Sequence, residues 1–301
     1  ISPPSDIDDI PLPAHELFKP YYTYASVITS RGCYLNCEFC YKEIFGQKVR
    51  RRSPQNVIKE LKLLVSELNI ISIMFLDDLF QSDDMWLNEF FSLLKNENLN
   101  FNWGCTIDIS TFSEEKCKIF TENGCIEVYI GVESADEDII KKAGKIHTPK
   151  QAKDVIKTTK EYGLLSRSFY IIGHRHDNEN TIRQTINFAL LNRTTFSTFY
   201  TMMPFPGSKA YEHVESQDKY NWRLFQLTDR RNLLLPSICQ LHSRILKKYQ
   251  EETIAKFYGN IDFIMESLSY KTLSIKYILT MFFYGLMARL FRIRFKKIYD
   301  F

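Results

Sequence analysis

The sequence predicts an α/β fold built on a parallel sheet and closed by a helical carboxy-terminal region. Three observations carry that expectation. Short apolar, β-branched-rich runs alternate about six times with longer stretches at helical period, as a parallel sheet with right-handed crossovers requires. Helix-start and helix-stop residues fall at the seams of this alternation. From about residue 212 the alternation stops and only helical periodicity remains.

Residues 1–21 come first and hold five of the ten prolines, which marks an extended lead-in or linker. Strands are predicted at 25–29, 70–76, 102–107, 126–132, 168–172 and 198–203. Helices are predicted at 54–68, 84–95, 114–122, 148–162 and 179–191. Ser53-Pro54 and Thr148-Pro149 have the form of an N-cap followed by a first-turn proline. Asn123-Gly124 and Tyr162-Gly163 have the form of helix C-caps. Two architectures satisfy this order, an open doubly wound sheet and a full or partial barrel. No G-x-G-x-x-G follows the first strand, which argues against the dinucleotide-binding version. In both, ligands bind at the carboxyl ends of the strands.

The chain has 301 residues, 45% apolar and 25% charged, ordinary values for a folded protein. Its 23 Phe and 17 Tyr exclude a disordered chain. With 11 Gly, 10 Pro and no internal period it is neither a linker nor a repeat array. A net charge of +3 predicts no general affinity for nucleic acid. No stretch has the zones of a signal peptide, and no 18-residue apolar run occurs. Seven cysteines, three of them within eight positions, do not form a secreted disulfide framework. A reducing, cytoplasmic compartment and a metal site are expected. The chain starts at Ile1, so it is expected to be part of something longer.

The three crowded cysteines follow the first strand in Arg31-Gly32-Cys33-Tyr34-Leu35-Asn36-Cys37-Glu38-Phe39-Cys40. Soft thiolates at this spacing suit an iron–sulfur cluster. A four-iron cube held by three cysteines keeps one iron open for direct ligation. Structural zinc prefers four ligands, and no fourth Cys or His lies nearby. The bland alternative is three core cysteines. Cys105, Cys117, Cys125 and Cys239 lack cluster spacing and are expected to be small apolar side chains.

This stretch resembles the motif of the radical S-adenosylmethionine (SAM) superfamily, in which an aromatic residue, here Phe39, precedes the third cysteine. The resemblance covers residues 22–211. It implies a partial (β/α)6 TIM-like barrel with the cluster loop after the first strand. It further implies a 4Fe-4S cluster on Cys33, Cys37 and Cys40 that cleaves SAM reductively and starts radical chemistry on an unidentified substrate. After the second strand, Asp77 and Asp78 match the position that holds the amino group of SAM; the alternative is a helix N-cap. After the fourth, Glu133 and Ser134 match a position contacting the SAM ribose or methionine portion; the alternative for Glu133 is an internal ion pair. After the fifth, Ile171 and Gly173 match the backbone that recognises adenine. Many relatives continue with a Leu-Pro-Gly-Glu-like turn, whereas this chain has His174-Arg175-His176-Asp177, either a specialised substrate pocket or an altered loop. The third strand lacks the arginine expected before Asp108. His174, Arg175, Tyr200 and Met202 stand at strand ends as pocket lining.

Three further segments resemble the cobalamin-associated subgroup: Asp8-Asp9-Ile10-Pro11-Leu12-Pro13-Ala14, Arg51-Arg52-Ser53-Pro54 and Met203-Pro204-Phe205-Pro206-Gly207-Ser208. That subgroup implies methyl transfer or ring cyclisation, with cobalamin held by a domain not present in these 301 residues. The partners implied are a small-molecule, lipid or pigment substrate and a reductant such as flavodoxin or ferredoxin. Two rivals remain. One is a truncated paralogue that binds an iron–sulfur cluster for electron transfer. The other is a methylthiotransferase, which would carry a second three-cysteine cluster absent here.

Residues 212–301 form the third region, with a basic tail. From Lys271 onward seven basic residues face one acid, Asp300. Segment 274–297 is rich in large apolar side chains with cations gathered towards its end, a pattern suited to an anionic membrane surface. The alternative is a core-packing helix with a solvated basic end.

Overall fold

Six strands hydrogen-bonded in sequence order form the sheet in the computed structural model, which describes residues 6–18, 22–42, 44–225, 236–268, 270 and 274–291. Lys271 and the basic residues beyond 291 lie outside the described residues. The strands are β1 (Tyr24–Val27), β2 (Ser30–Arg31), β3 (Arg50–Arg51), β4 (Ser72–Phe75), β5 (Asn102–Ile107), β6 (Cys125–Glu133), β7 (Leu165–Ile172) and β8 (Phe196–Thr201). The helices are α1 (Pro54–Lys62), α2 (Asp84–Asn96), α3 (Glu114–Glu122), α4 (Glu137–Lys142), α5 (Pro149–Glu161), α6 (Glu179–Leu191), α7 (Ser243–Tyr258), α8 (Ile261–Ser267) and α9 (Ile275–Phe291). The order β1-β4-β5-β6-β7-β8 has no reversal, so the sheet is wound in one direction. That is the order of a partial (β/α)6 TIM-like barrel and not of a doubly wound sheet, which reverses at a switch point.

The chain divides into two compact units, and the division falls inside β6. The first comprises 1–35 and 42–130. Its strands pair in parallel, with Val27 opposite Phe75, Phe75 opposite Cys105 and Cys105 opposite Val128. The Ser53 hydroxyl accepts from the Asn56 amide and starts α1, with Pro54 in the first turn as expected. Asp83 and Ser113 cap α2 and α3 in the same way. The helix predicted over 54–68 is regular only to Lys62 and continues as a π-turn, Leu63–Glu67. An aromatic cluster fills the unit. Phe80 stacks on Phe75 at 4.7 Å and meets Trp86, Phe90, Trp103 and Phe120 within 6.4 Å. Such pairs add to the burial of 150–250 Å² that each aromatic ring contributes, by the general figure of roughly that size.

The second unit comprises 36–41 and 131–301. Capping boxes start α5 at Thr148 with Gln151 and α6 at Asn178 with Thr181. α7 lies on β8: the Tyr258 hydroxyl accepts from the Ser197 amide and donates to the Ser197 carbonyl, and Phe257 meets Phe199 at 6.0 Å. Arg193 donates to the Phe257 carbonyl at the end of α7. Among the described residues no helix is long and apolar enough to cross a membrane.

Phe80→Ala is expected to lower the unfolding free energy by about 3–5 kcal/mol, because Phe80 is fully buried in that ring cluster. Met85→Ala, at a side chain 83% exposed, is expected to change it by about 0.5 kcal/mol or less. Urea denaturation of both variants measures this, and equal effects would show that the cluster is not the core of the first unit.

Candidate active site

In the first unit, the chain leaves β1 and enters the cysteine loop through a ribbon. Ser30–Arg31 pairs antiparallel with Arg50–Arg51, so the ribbon closes the root of the loop. Gly32 has φ +98, and a side chain there would collide with the Lys48 carbonyl, so glycine is required at this turn. The Cys33 amide donates to the Gly46 carbonyl at 3.3 Å.

Asp77, from the segment after β4, ties this root to the sheet. Its carboxylate accepts from the Thr29 amide (2.6 Å), the Thr29 hydroxyl, the Ser30 amide (3.2 Å) and the Ser30 hydroxyl (3.0 Å). Arg51 lies 3.6 Å away, and its guanidinium also reaches the Leu79 carbonyl, the Ser82 hydroxyl and the face of Trp86. Burial pushes the Asp77 carboxyl above its ordinary value, while Thr29, Arg51 and Ser30 pull the other way. Asp78 next to it is exposed. Neither aspartate caps α2, whose N-cap is Asp83. After β5, Asp108 is buried and accepts from the Ser110 amide and hydroxyl. Burial raises the Tyr34 phenol, with Asp108 and Cys33 adding to the shift.

In the second unit, segment 36–41 is clamped from two sides. The Glu38 amide donates to the Ala143 carbonyl (2.9 Å), and the Ala210 amide donates to the Glu38 carbonyl (3.0 Å). Gly144 has φ +80, and any side chain there would strike the Asn36 backbone. Phe39 meets the His174 ring edge-on at 6.0 Å. His174 is buried and neither ring nitrogen has a hydrogen-bond partner among the described residues. Burial, with Lys145 adding, pushes its pKa down to about 4, so the imidazole is neutral at neutral pH.

Glu133 ends β6 in a left-handed conformation, φ +62, which is unusual for a residue with a side chain and costs about 1–3 kcal/mol. Its buried carboxylate pairs with Lys145 at 3.2 Å, the internal ion pair weighed as an alternative in the sequence. Ser134 shares a hydrogen bond with Thr185 and accepts from the Asp136 amide, so it holds the turn after β6 to α6. Ile171 is half-buried on β7. The Gly173 and His174 amides both donate to Asp177 at 2.9 Å, and the Thr181 hydroxyl donates to its other oxygen. Burial raises the phenol of half-exposed Tyr200, with Arg167 opposing and Glu133 adding.

None of the seven cysteines is in a disulfide. Cys33 is half-buried, Cys37 buried and Cys40 exposed. Among the described residues no three His, Cys, Asp or Glu side chains are gathered into a metal-holding group, so the loop bears three thiols without presenting them as a closed cage. The donor chemistry fits an iron–sulfur cluster: three thiols on one short loop at a strand end. Cys105, Cys117 and Cys125 are buried with thiols raised by burial, Cys117 to about 12. Arg51, Lys145 and Asp177 were not assigned roles from the sequence; each acts through a partner distant or inconspicuous in the chain.

Asp77→Ala is expected to cost about 3–5 kcal/mol, because it leaves the buried Arg51 guanidinium without its counter-charge. Asp78→Ala is expected to stay within about 0.5 kcal/mol of the parent. Unfolding by urea separates the two; matching values would remove Asp77 from the loop's support.

The sequence profile of the radical SAM superfamily matches residues 27–189. Over 254 residues the chain is 33% identical to an uncharacterised methyltransferase of Pyrococcus horikoshii, spanning 81% of this chain and 55% of that protein. It is 23% identical over 201 residues to the anaerobic magnesium-protoporphyrin IX monomethyl ester cyclase of Rubrivivax gelatinosus, spanning 64% and 36%. The solved structure of OxsB, a cobalamin-dependent S-adenosylmethionine radical enzyme with aqua-cobalamin and S-adenosylmethionine bound, superposes with a TM-score of 0.64. That superposition covers 88% of this chain and 45% of the other at 14% identity, a likeness of fold. The chain spans about half the length of the curated relatives it matches. The profile runs from the last residue of β1, through the cysteine loop and on into α6, more than half of the sequence, and the chain therefore belongs to the radical SAM superfamily.

Proposed function

We propose that this chain is the catalytic core of a radical SAM enzyme, with residues 22–211 as the barrel domain and 212–301 as a helical region. The observation that carries the reading is the loop of Cys33, Cys37 and Cys40, free of disulfides and rooted at the carboxyl end of β1. Held by these thiolates, a reduced 4Fe-4S cluster would supply the electron that cleaves SAM to methionine and a 5′-deoxyadenosyl radical. The names of the relatives support methyl transfer or ring cyclisation, with cobalamin held outside these residues. A small molecule, lipid or pigment is the substrate class, and a flavodoxin or ferredoxin in the cytoplasm is the reductant.

The chain's own residues divide the work. Cys33, Cys37 and Cys40 donate thiolates, and Phe39, set edge-on against His174, anchors the segment that carries Cys37 and Cys40 beside the cofactor. Asp77 is engaged with Thr29, Ser30 and Arg51, so the exposed Asp78 is the carboxylate that meets the ammonium of SAM. Glu133 offers its second oxygen while Lys145 holds the first. Ile171 gives adenine an apolar surface, and the Gly173 carbonyl is its backbone partner because the amide is held by Asp177. Ser134 positions the turn that carries Glu133 and does not touch the cofactor.

Anaerobic reconstitution with iron and sulfide is expected to load about four of each per chain. Cys37→Ala is expected to lose that cluster and Cys239→Ala to keep it. A colourless protein with stoichiometric zinc would overturn the reading. On the loaded protein, Asp78→Asn is expected to weaken SAM binding by about tenfold or more, and Ser134→Ala to leave it unchanged, by equilibrium dialysis.

A further inference from the structure

α9 is predominantly apolar, and among the described residues part of its apolar surface is left exposed. Ile278 and Met281 are buried where α9 packs against α7. One turn apart on the other side, Ile275, Leu279 and Phe283 are 63%, 51% and 57% exposed, and Tyr284 lies beside them. α8, which packs against α9, likewise exposes Ile261 and Met265, and Leu268 directly after its end is exposed as well. A contiguous exposed apolar stripe of this kind marks an interaction surface.

Charge identifies what covers this one. The chain from Lys271 to its end carries seven basic residues, Lys271, Lys276, Arg289, Arg292, Arg294, Lys296 and Lys297, and a single acid. Two such segments, each with a single acid, repel one another, which disfavours a second copy of this chain as the occupant. An anionic lipid surface satisfies both features, taking the apolar stripe at the acyl boundary and the cations at the headgroups. We propose that the outer face of α8 and α9 docks on an anionic membrane surface, the helices lying in the interface without crossing it. The inference does not rest on the radical chemistry, since docking needs neither cluster nor SAM.

The test is co-sedimentation of the 301-residue chain with vesicles of phosphatidylcholine alone and of phosphatidylcholine with about one-third phosphatidylglycerol. Binding is expected on the anionic vesicles, weaker on the neutral ones, and falling as salt is raised. The double variant Leu279→Ser, Phe283→Ser is expected to bind at least about tenfold more weakly with an unchanged circular dichroism spectrum, because both side chains are exposed in the free protein. No binding to anionic vesicles at low salt overturns the proposal, as does a double variant that binds like the parent. Self-association of the parent that the double variant loses, without vesicle binding, would assign the face to a second copy and overturn it as well.

Discussion

The buried carboxylate of Asp77 is the interaction on which the site depends. It stands between the last residues after β1 and the guanidinium of Arg51 on β3, and accepts hydrogen bonds from two amides and two hydroxyls. An ionised carboxylate in such a place is tolerable only when its lone pairs are engaged and a counter-charge is close. Both conditions are met by residues that bracket the cysteine loop. The loop leaves the sheet at Ser30 and returns at Arg51, and Asp77 holds both points. The thiols therefore sit on a loop whose root is fixed.

The second unit repeats the device on the other part of the loop. Segment 36–41 is held by backbone hydrogen bonds to Ala143 and Ala210, and Gly144 admits the Asn36 backbone at a distance that no side chain permits. Around these supports the strand ends divide into engaged and accessible groups. Asp77, Ser134 and Asp177 are engaged in holding turns. Asp78, Ile171 and Tyr200 retain accessible surface. The engaged groups give the turns their shape, and the accessible ones keep surface open at the strand ends. His174 belongs to neither class, being buried with both ring nitrogens unpartnered among the described residues.

Much of this architecture was legible in the sequence where local chemistry marks it. Helices over 114–122 and 179–191 were expected from their period with the bounds found, and in the structure Ser113 and Asn178 cap them. α4 was missed because six residues are too short for a period to emerge, and the ribbon because each of its strands has two. Periodicity alone left the winding direction of the sheet open, since it marks strands without saying which lies beside which; the resemblance carried by the cysteine loop implied the barrel order that the sheet has. Asp77 and Asp78 are equivalent as letters; only the turn after β4 sends one inward and leaves the other in water. The partner of Glu133 lies twelve positions on, in a loop where Lys145 has no distinguishing pattern. Long-range pairing of this kind is a property of the fold.

Reductive cleavage of SAM at the loop of Cys33, Cys37 and Cys40 is the chemistry we propose. The most direct measurement is mass-spectrometric detection of 5′-deoxyadenosine after the reconstituted protein is reduced with dithionite in the presence of SAM, with Cys37→Ala as control. 5′-Deoxyadenosine and methionine are expected from the parent and neither from the variant. A parent that holds its cluster and binds SAM, yet releases no 5′-deoxyadenosine on reduction, would contradict the proposal.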